Sequence, residues 1–388
     1  MTKQTLPIVA VVGPTATGKS TLAVALAQQL GATSDSHRAD LSPEYHAEII
    51  NADAYQLYKG MDIGTAKTPV RERGHVIHHL FDVLDPLDDA SVAAYQASAR
   101  AITADIEARS VRCIVVGGSG LYVRALLDHM DFPGTDPAVR QELEDQARTL
   151  GPQALIDRLA QLDPQAAATI DPRNIRRVIR ALEVIKITNK PFTANLPRQE
   201  YVRPTVQIGI DCNRDSLDAR IDLRVHAMRE MGLVEEVRHL ASAQQGGLGP
   251  GLGTTAARAV GYAEILQYFA GQCSLDEAFD AIAVHTKRLA RKQMGWFGRD
   301  PRVHWLDASA PDLLDQALDI VAQADAATSA SAGAPVGAAP GQAVATATAG
   351  QAGTAAEDGA APGAQQARTP LGSTIAQAEE SATSATAE

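Results

Sequence analysis

The chain has 388 residues, of which 45 % are hydrophobic and 21 % charged, and its formal net charge is −11. That length allows one or two domains with a sizeable core. Its three cysteines form no CxxC pair, which excludes a disulfide framework and a zinc finger and favours a reducing compartment. No apolar run is long enough to span a bilayer, so we expect a cytoplasmic protein with no membrane partner.

The charge is unevenly distributed along this acidic chain. Residues 172–203 hold eight Lys or Arg against Glu183 and Glu200, and residues 285–302 hold six against Asp300. Two basic segments suit a polyanion bound at one face, although solvated helix faces have the same composition. Charge therefore leaves a nucleic-acid partner open.

Short apolar runs alternate with amphipathic stretches along most of the chain. They predict strands at residues 8–12, 48–51, 113–118, 206–211 and 303–306. Helices are predicted between them, at 19–30, 91–109 and 214–233. This alternation predicts an α/β fold of the P-loop NTPase-like kind, with a mainly parallel sheet and helices on both faces.

The stretch from about 136 to 196 shows no strand pattern and is punctuated by proline and glycine, which predicts a helical insertion. We therefore expect an α/β core made of 1–130 and 201–325, with a surface insertion at 31–48, and a helical domain at 131–200. The segment 326–388 has almost no large apolar residue, which predicts a disordered low-complexity tail.

The stretch GPTATGKS follows the first predicted strand and opens the first helix. It matches the phosphate-binding pattern G-x-x-x-x-G-K-[ST], in which backbone N–H groups and a helix N-terminus meet phosphate oxygens. Lys19 would neutralise phosphate charge, and the Ser20 hydroxyl would bind Mg²⁺. The predicted phosphate ligands are Gly13, Pro14, Thr15, Ala16, Thr17, Gly18, Lys19 and Ser20.

Most loops of this pattern hold a nucleoside triphosphate, but the acid that an ATPase places after an apolar strand is missing from CIVVGGSG at 113–120. The acid that does follow a predicted strand is Asp53. A kinase would use Asp53 as the base toward an acceptor hydroxyl, whereas a transferase would hold diphosphate as a leaving group. The loop alone leaves both chemistries open, as well as nucleoside triphosphate binding.

Six further motifs follow in order: NADAYQLYKGMDIGTAK at 51–67, HHLFDV at 78–83, GGSGLY at 117–122, NIRRVIRALEV at 174–184, VGYAEILQYFAG at 260–271 and TKRLARKQMGWF at 286–297. The ordered set resembles the bacterial tRNA dimethylallyltransferases over roughly residues 7–307. The resemblance implies Mg²⁺-dependent transfer of a dimethylallyl group from dimethylallyl diphosphate to N6 of adenosine 37, in the anticodon stem-loop of tRNAs that read codons beginning with U. It implies a monomer whose glycine loop grips the leaving diphosphate.

The resemblance also assigns catalytic roles. Asp53 would be the base that accepts the N6 proton, while Lys19 and Mg²⁺ on Ser20 would stabilise the leaving diphosphate. A diphosphate-binding arginine would come from the helix predicted at 214–233. We expect this arginine to be Arg220, with Arg224 as the second candidate.

RNA contacts are implied at three segments and two single residues. Ser119, Ala54 and Ala263 depart from the family's usual residues at their positions. Lys287, Arg288, Arg291 and Lys292 would add a phosphate-binding stripe. The RNA-contact residues are Asp53, Ala54, Tyr55, Gln56, Ser119, Arg140, Arg176, Arg177, Val178, Ile179, Arg180, Arg258, Ala259, Val260, Gly261, Tyr262 and Ala263.

Three other functions share some of these features. A small-molecule kinase would turn over ATP without RNA. An adenylate isopentenyltransferase would act on free AMP or ADP and would not need two basic segments. An RNA-binding module without catalysis would have no use for Asp53 in its motif.

Overall fold

A computed structural model describes residues 6–32, 47–195, 199–242 and 251–332 of the chain. Most of the expected insertion, 33–46, and the tail from 333 lie outside these described residues. The remainder belongs to one compact unit. None of the helices in the described ranges combines the length and apolar character needed to cross a membrane.

Six parallel strands form one sheet in the order β3-β2-β4-β1-β5-β6. Because all strands run the same way, the loops that follow β1, β2 and β4 meet at one edge of the sheet. The strands are β1 (Ile8–Val12), β2 (Ala47–Asn51), β3 (His78–His79), β4 (Arg112–Gly117), β5 (Thr205–Asp211) and β6 (Val303–Asp307).

Helices cover both faces of this sheet. Alternate residues of β1 belong to two different core clusters, with Val9 and Val11 on one side and Ile8, Ala10 and Val12 on the other. The first face packs on α1 (Lys19–Ala32) and α12 (Leu313–Ala332), and the second on α2 (Val92–Ala108) and α3 (Gly120–Leu127). The predicted α/β class is therefore confirmed.

A third cluster joins the helices that follow β5. These are α8 (Arg214–Glu230), α9 (Leu233–Ala241), α10 (Tyr262–Phe269) and α11 (Leu275–Phe297). The helix predicted at 214–233 ends earlier, because Gly232 takes φ +95° between α8 and α9.

The proline-punctuated region forms four helices with a hydrophobic core of their own. They are α4 (Pro137–Leu150), α5 (Pro152–Leu162), α6 (Pro164–Thr169) and α7 (Ile175–Thr188). Pro137, Pro152 and Pro164 each occupy the first helical position, where a missing N–H costs nothing.

The structure also differs from prediction in an additional strand and at several boundaries. Strand β3 has only two residues, too few to produce a recognisable pattern. Strand β2 begins at Ala47, so the last two residues of the expected insertion belong to the sheet. Helix α12 continues through 326–332, where we expected the disordered tail, because its alanine-rich sequence has high helix propensity and extends a helix that is already docked.

Candidate active site

The loop after β1 has the conformation that a phosphate loop needs. Gly13 takes φ +130° and Gly18 takes φ +91°, and a Cβ on Gly13 would lie 2.4 Å from the Ile210 carbonyl oxygen. The Thr17 hydroxyl donates to the Pro14 carbonyl at 2.9 Å, which closes the loop on itself. Helix α1 begins at Lys19, so its N-terminus opens at this loop.

Asp53 follows β2 and is held by a turn built from Asn51. The Asn51 side chain accepts the Asp53 N–H at 3.0 Å and donates to the Leu80 carbonyl at 3.0 Å. One Asp53 oxygen accepts the Tyr55 N–H at 2.9 Å. Burial raises the pKa of Asp53, although backbone hydrogen bonds and the charge of Lys19 oppose that rise. A carboxylate in such a setting is a stronger base than an exposed one.

Two cations face this carboxylate across the loop. Burial and, to a smaller extent, the Arg224 charge lower the pKa of Lys19 to about 7, although the Asp53 charge acts in the opposite direction. The Arg224 guanidinium donates to the Thr15 hydroxyl at 3.1 Å. Bringing a polyanion here would relieve the repulsion between the two cations.

Of the two arginines of α8, the structure favours the one that we ranked second. Arg224 lines the cavity above the glycine loop, whereas Arg220 is absent from its lining and lies near Asp307 and Cys212. Both arginines share a helix face at i, i+4, but one turn of helix separates them by about 6 Å, and only the later one reaches the loop.

One cavity of about 920 Å³ collects the predicted catalytic residues except Arg220. Lys19, Ser20, Asp53, Gln56 and Arg224 all line it. Another part of its lining comes from residues 61–67, the end of the motif at 51–67, which we call the cavity loop; Asp62, Ile63, Thr65, Ala66 and Lys67 of this loop line the cavity. A cavity of this size, in which cationic and acidic side chains converge, is typical of a small-molecule site.

Gln56 has its amide donors occupied by the cavity loop. Its Nε2 donates to the Thr65 carbonyl at 3.0 Å and to the Ala66 carbonyl at 3.4 Å. The buried Lys67 ammonium fastens the end of the loop by donating to the Tyr58 carbonyl at 2.9 Å and to Asp62 and Asp82 at 2.6 Å. The Gln56 acceptor oxygen remains for a ligand.

Sequence reasoning also missed Gln293. Its side-chain oxygen accepts a hydrogen bond from the Thr15 N–H at 2.8 Å. Its amide nitrogen lies so close to Gly118 that a Cβ added there would be 2.3 Å from it. Gln293 is buried on α11, among exposed basic residues. The sequence did contain a signal for Gln293, because a polar residue occupies a position on α11 that the helical periodicity places on the buried face.

The predicted RNA-contact arginines fall into two groups. Arg176, Arg177 and Arg258 are exposed and have no ion pair among the described residues. Arg140 and Arg180 both pair with the buried carboxylate of Glu183 at 2.8 Å. Arg180, which we expected to contact RNA, is therefore bound within the protein, and it also donates to two backbone carbonyls.

Several other predicted contact residues are buried. Val178 and Ile179 pack in the core of α4–α7. Ala259 and Tyr262 are buried in the cluster of α8–α11. These four side chains are therefore packed inside the protein, and contact of their positions with RNA stays a prediction. Gly261 is buried as well, while Val260 and Ala263 are half-buried.

The remaining predicted residues lie near the cavity or on α11. The Ser119 hydroxyl accepts the Ala54 N–H at 3.3 Å, which joins the loops after β2 and β4, and Tyr55 is half-buried beside them. On α11, Lys287 pairs with Asp222 at 2.7 Å. Arg288, Arg291 and Lys292 are exposed.

Comparison with known proteins agrees with this architecture. A family model described as IPP transferase matches residues 56–300. A tRNA dimethylallyltransferase of Bifidobacterium adolescentis is 52 % identical over 323 residues, which cover 83 % of this chain and 91 % of that protein. One from Thermobifida fusca is 54 % identical over 316 residues, covering 81 % and 94 %.

A solved structure has the same fold. The full-length tRNA isopentenylpyrophosphate transferase from Bacillus halodurans aligns with a TM-score of 0.58 and 36 % identity, covering 84 % of this chain and 99 % of that chain. The family model spans more than half of this sequence, and the relatives align along most of it. The chain therefore belongs to the IPP transferase family and is an enzyme of the prenyltransferase class.

Proposed function

We propose that the chain transfers a dimethylallyl group from dimethylallyl diphosphate to N6 of adenosine 37 in tRNAs that read codons beginning with U, and releases diphosphate. The observation that carries the proposal is the position of Lys19 and Arg224 opposite Asp53 in one cavity. Two cations suit the diphosphate, and a carboxylate of raised pKa suits the proton. The names of the relatives support the same reaction.

The donor would enter with its diphosphate on the glycine loop. As the bond between C1 and the bridging oxygen breaks, negative charge collects on that oxygen. The Lys19 ammonium, the Arg224 guanidinium and the N–H groups at the start of α1 are aimed at this charge. Water must be excluded, because the allylic carbon left behind would react with it.

The acceptor would be an adenine turned out of the anticodon loop. Its N6 is a poor nucleophile, because the lone pair is delocalised into the ring. Asp53 would accept an N6 hydrogen bond and take the proton as the C–N bond forms, and the free oxygen of Gln56 would accept from the base edge. Exposed Arg176, Arg177 and Arg258 would hold the RNA backbone.

Mg²⁺ is the proposed cofactor. The Ser20 side chain lines the cavity at the start of α1, and its hydroxyl is the hard oxygen ligand that Mg²⁺ prefers alongside phosphate oxygens. When bound, the cation would neutralise part of the diphosphate charge.

The test is transfer to a synthetic anticodon stem-loop with adenosine 37, followed by nucleoside mass spectrometry. A matched stem-loop with inosine 37, which lacks the amino group, should give no product. Product from free AMP at a comparable rate, or ATP turnover without RNA, would contradict the proposal. Analysis of tRNA nucleosides from a deletion strain would identify the tRNAs that are modified in the cell.

A further inference from the structure

Glu236, on α9, binds the backbone of the cavity loop. Its carboxylate accepts three successive backbone N–H groups, from Asp62 at 3.1 Å, Ile63 at 2.7 Å and Gly64 at 3.2 Å. Successive N–H groups that converge in this way form an anion-binding nest, and here an internal carboxylate fills it. Hydrogen bonds to an ionised acceptor are roughly twice as strong as those between neutral groups.

The fourth donor to Glu236 is the hydroxyl of Tyr262, at 2.5 Å. Burial and the Glu236 charge raise the pKa of Tyr262, so the hydroxyl keeps its proton and donates. The Tyr262 ring is fully buried and lies against Gly64, where a Cβ would come within 2.4 Å of the ring. The carboxylate, the ring and the loop therefore form one tightly packed unit.

This unit lies between two parts of the site. On one side, Asp62 and Ile63 line the cavity, and the Thr65 and Ala66 carbonyls hold the Gln56 amide. On the other side, Tyr262 belongs to the segment 258–263, which also contains the exposed Arg258. Glu236 itself touches no residue of the glycine loop and is not in the cavity lining.

We propose that Glu236 is a positioning residue that fixes the cavity loop against Tyr262, and through this loop sets the position of Gln56 beside Asp53. The inference rests on the proposed function, because it assigns Gln56 to the acceptor base. The loop is also held by the Lys67 ammonium, which donates to the Tyr58 carbonyl and to Asp62, and by the Gln56 amide on the Thr65 and Ala66 carbonyls. Loss of the Glu236 bonds would loosen residues 62–64, which these other contacts do not hold through their backbone N–H groups.

The test is a double-mutant cycle between Glu236→Gln and Gln56→Ala, measured as kcat/KM for dimethylallyl transfer. A glutamine keeps the shape but turns an N–H₂ group toward the nest. We expect kcat/KM to fall by about 10- to 100-fold, because the cavity loop would be misplaced. In the Gln56→Ala background the same substitution should cost less than about threefold, because the residue it positions is already gone.

The matched control is Glu235→Gln on the same helix. Glu235 is exposed and pairs only with Arg238, so its substitution should change kcat/KM by less than about twofold in both backgrounds. Hydrogen exchange supplies a readout that does not depend on activity. The amides of 62–64 should lose protection in Glu236→Gln and keep it in Glu235→Gln.

Equal losses in both Gln56 backgrounds, or unchanged protection of these amides, would overturn the proposal. If Glu236→Gln fails to fold, Tyr262→Phe removes one of the four hydrogen bonds and keeps the ring, and the same cycle should show a smaller but still non-additive loss. If the wild-type chain transfers no dimethylallyl group, the proposed function fails. Hydrogen exchange of the 62–64 amides and the affinity for dimethylallyl diphosphate then still decide whether Glu236 holds the cavity loop.

Discussion

The Gln293 side chain accepts a hydrogen bond from the backbone N–H of Thr15 at 2.8 Å. This bond joins the glycine loop near one end of the sequence to the basic helix α11 near the other. We expect Gln293→Leu to leave the Thr15 N–H without a partner, at a cost of about 1–3 kcal/mol in the free energy of unfolding. It should also raise KM for the diphosphate donor.

Gln293→Glu is the matched control for the unfolding measurement, because it keeps an acceptor oxygen for Thr15, whereas its added negative charge should by itself weaken binding of the diphosphate. Thermal unfolding and donor titration of both variants measure the difference. If Gln293→Leu matches the wild type in both measurements, the bond is dispensable for the shape of the loop.

Donor binding should weaken as the pH rises above 7. Lys19 has a pKa of about 7 in the free protein, against 10.5 in an unfolded chain, so it loses its charge through the neutral range. A bound diphosphate favours the charged form, and binding therefore takes up a proton.

The same pKa shift affects the free energy of unfolding. Between pH 7 and pH 10.5 the unfolded chain binds more protons at Lys19 than the folded chain does. Burial of Lys19 therefore lowers stability most below pH 7, and this cost decreases as the pH rises.

The measurement is the dissociation constant of dimethylallyl diphosphate across pH 6–9. The affinity should fall by up to about tenfold per pH unit above 7. Lys19→Arg stays charged throughout and should remove this component, leaving only the titration of the ligand. Parallel profiles for the two proteins would show that Lys19 is not the titrating group.

Asp53→Asn should keep the fold and bind the diphosphate, yet lose about 10²–10⁴-fold in the transfer step. The reason is that asparagine preserves the turn with Tyr55 but cannot take the N6 proton. Single-turnover rates with pre-bound stem-loop measure this step. A loss below about threefold would remove Asp53 from the role of base.

The arginines of α7 should separate into RNA contacts and structural residues. Replacing Arg176 and Arg177 by Ala should lower the slope of log affinity for tRNA against log salt by about 0.7 for each lost phosphate contact. Unfolding and donor affinity should not change, since both side chains are exposed. A salt series beside a donor titration gives both quantities.

Arg180→Ala should behave differently. It removes one of two guanidinium partners from the fully buried Glu183 carboxylate, so we expect a destabilisation of about 1–3 kcal/mol. Denaturant unfolding measures this loss. If stability is unchanged while the salt slope falls, Arg180 belongs with Arg176 and Arg177 after all.

Removal of 333–388 should leave kcat/KM for tRNA and the melting temperature unchanged, because that composition offers almost no large apolar side chain to pack. A cut before Asp325 should lower stability. Asp325 is the bidentate partner of the buried Arg112 guanidinium, with contacts of 2.8 and 2.6 Å. Melting curves and activity of the two truncated chains test both statements. A large loss of activity in the chain that ends at residue 332 would show that 333–388 reach the substrate.

Local patterns in the sequence were sufficient for the elements that depend on neighbouring residues. The apolar runs of β1, β2, β4, β5 and β6, the proline-started helices and the glycine loop are set by periodicity, by the missing N–H of proline and by the backbone freedom of glycine. Asp53 could be found in the same way, because a carboxylate that directly follows a buried strand lies at the carboxyl edge of the sheet.

Contacts between distant segments could not be found in this way. Whether Arg220 or Arg224 reaches the glycine loop depends on how α8 packs, since both lie on one helix face. Arg180 resembles Arg176 until the buried Glu183 is located beside it, and Gln293 and Glu236 act on backbone groups far away in sequence. Hydrogen bonds and burial follow from distances between atoms, and for segments separated by hundreds of residues only the packed tertiary structure determines those distances.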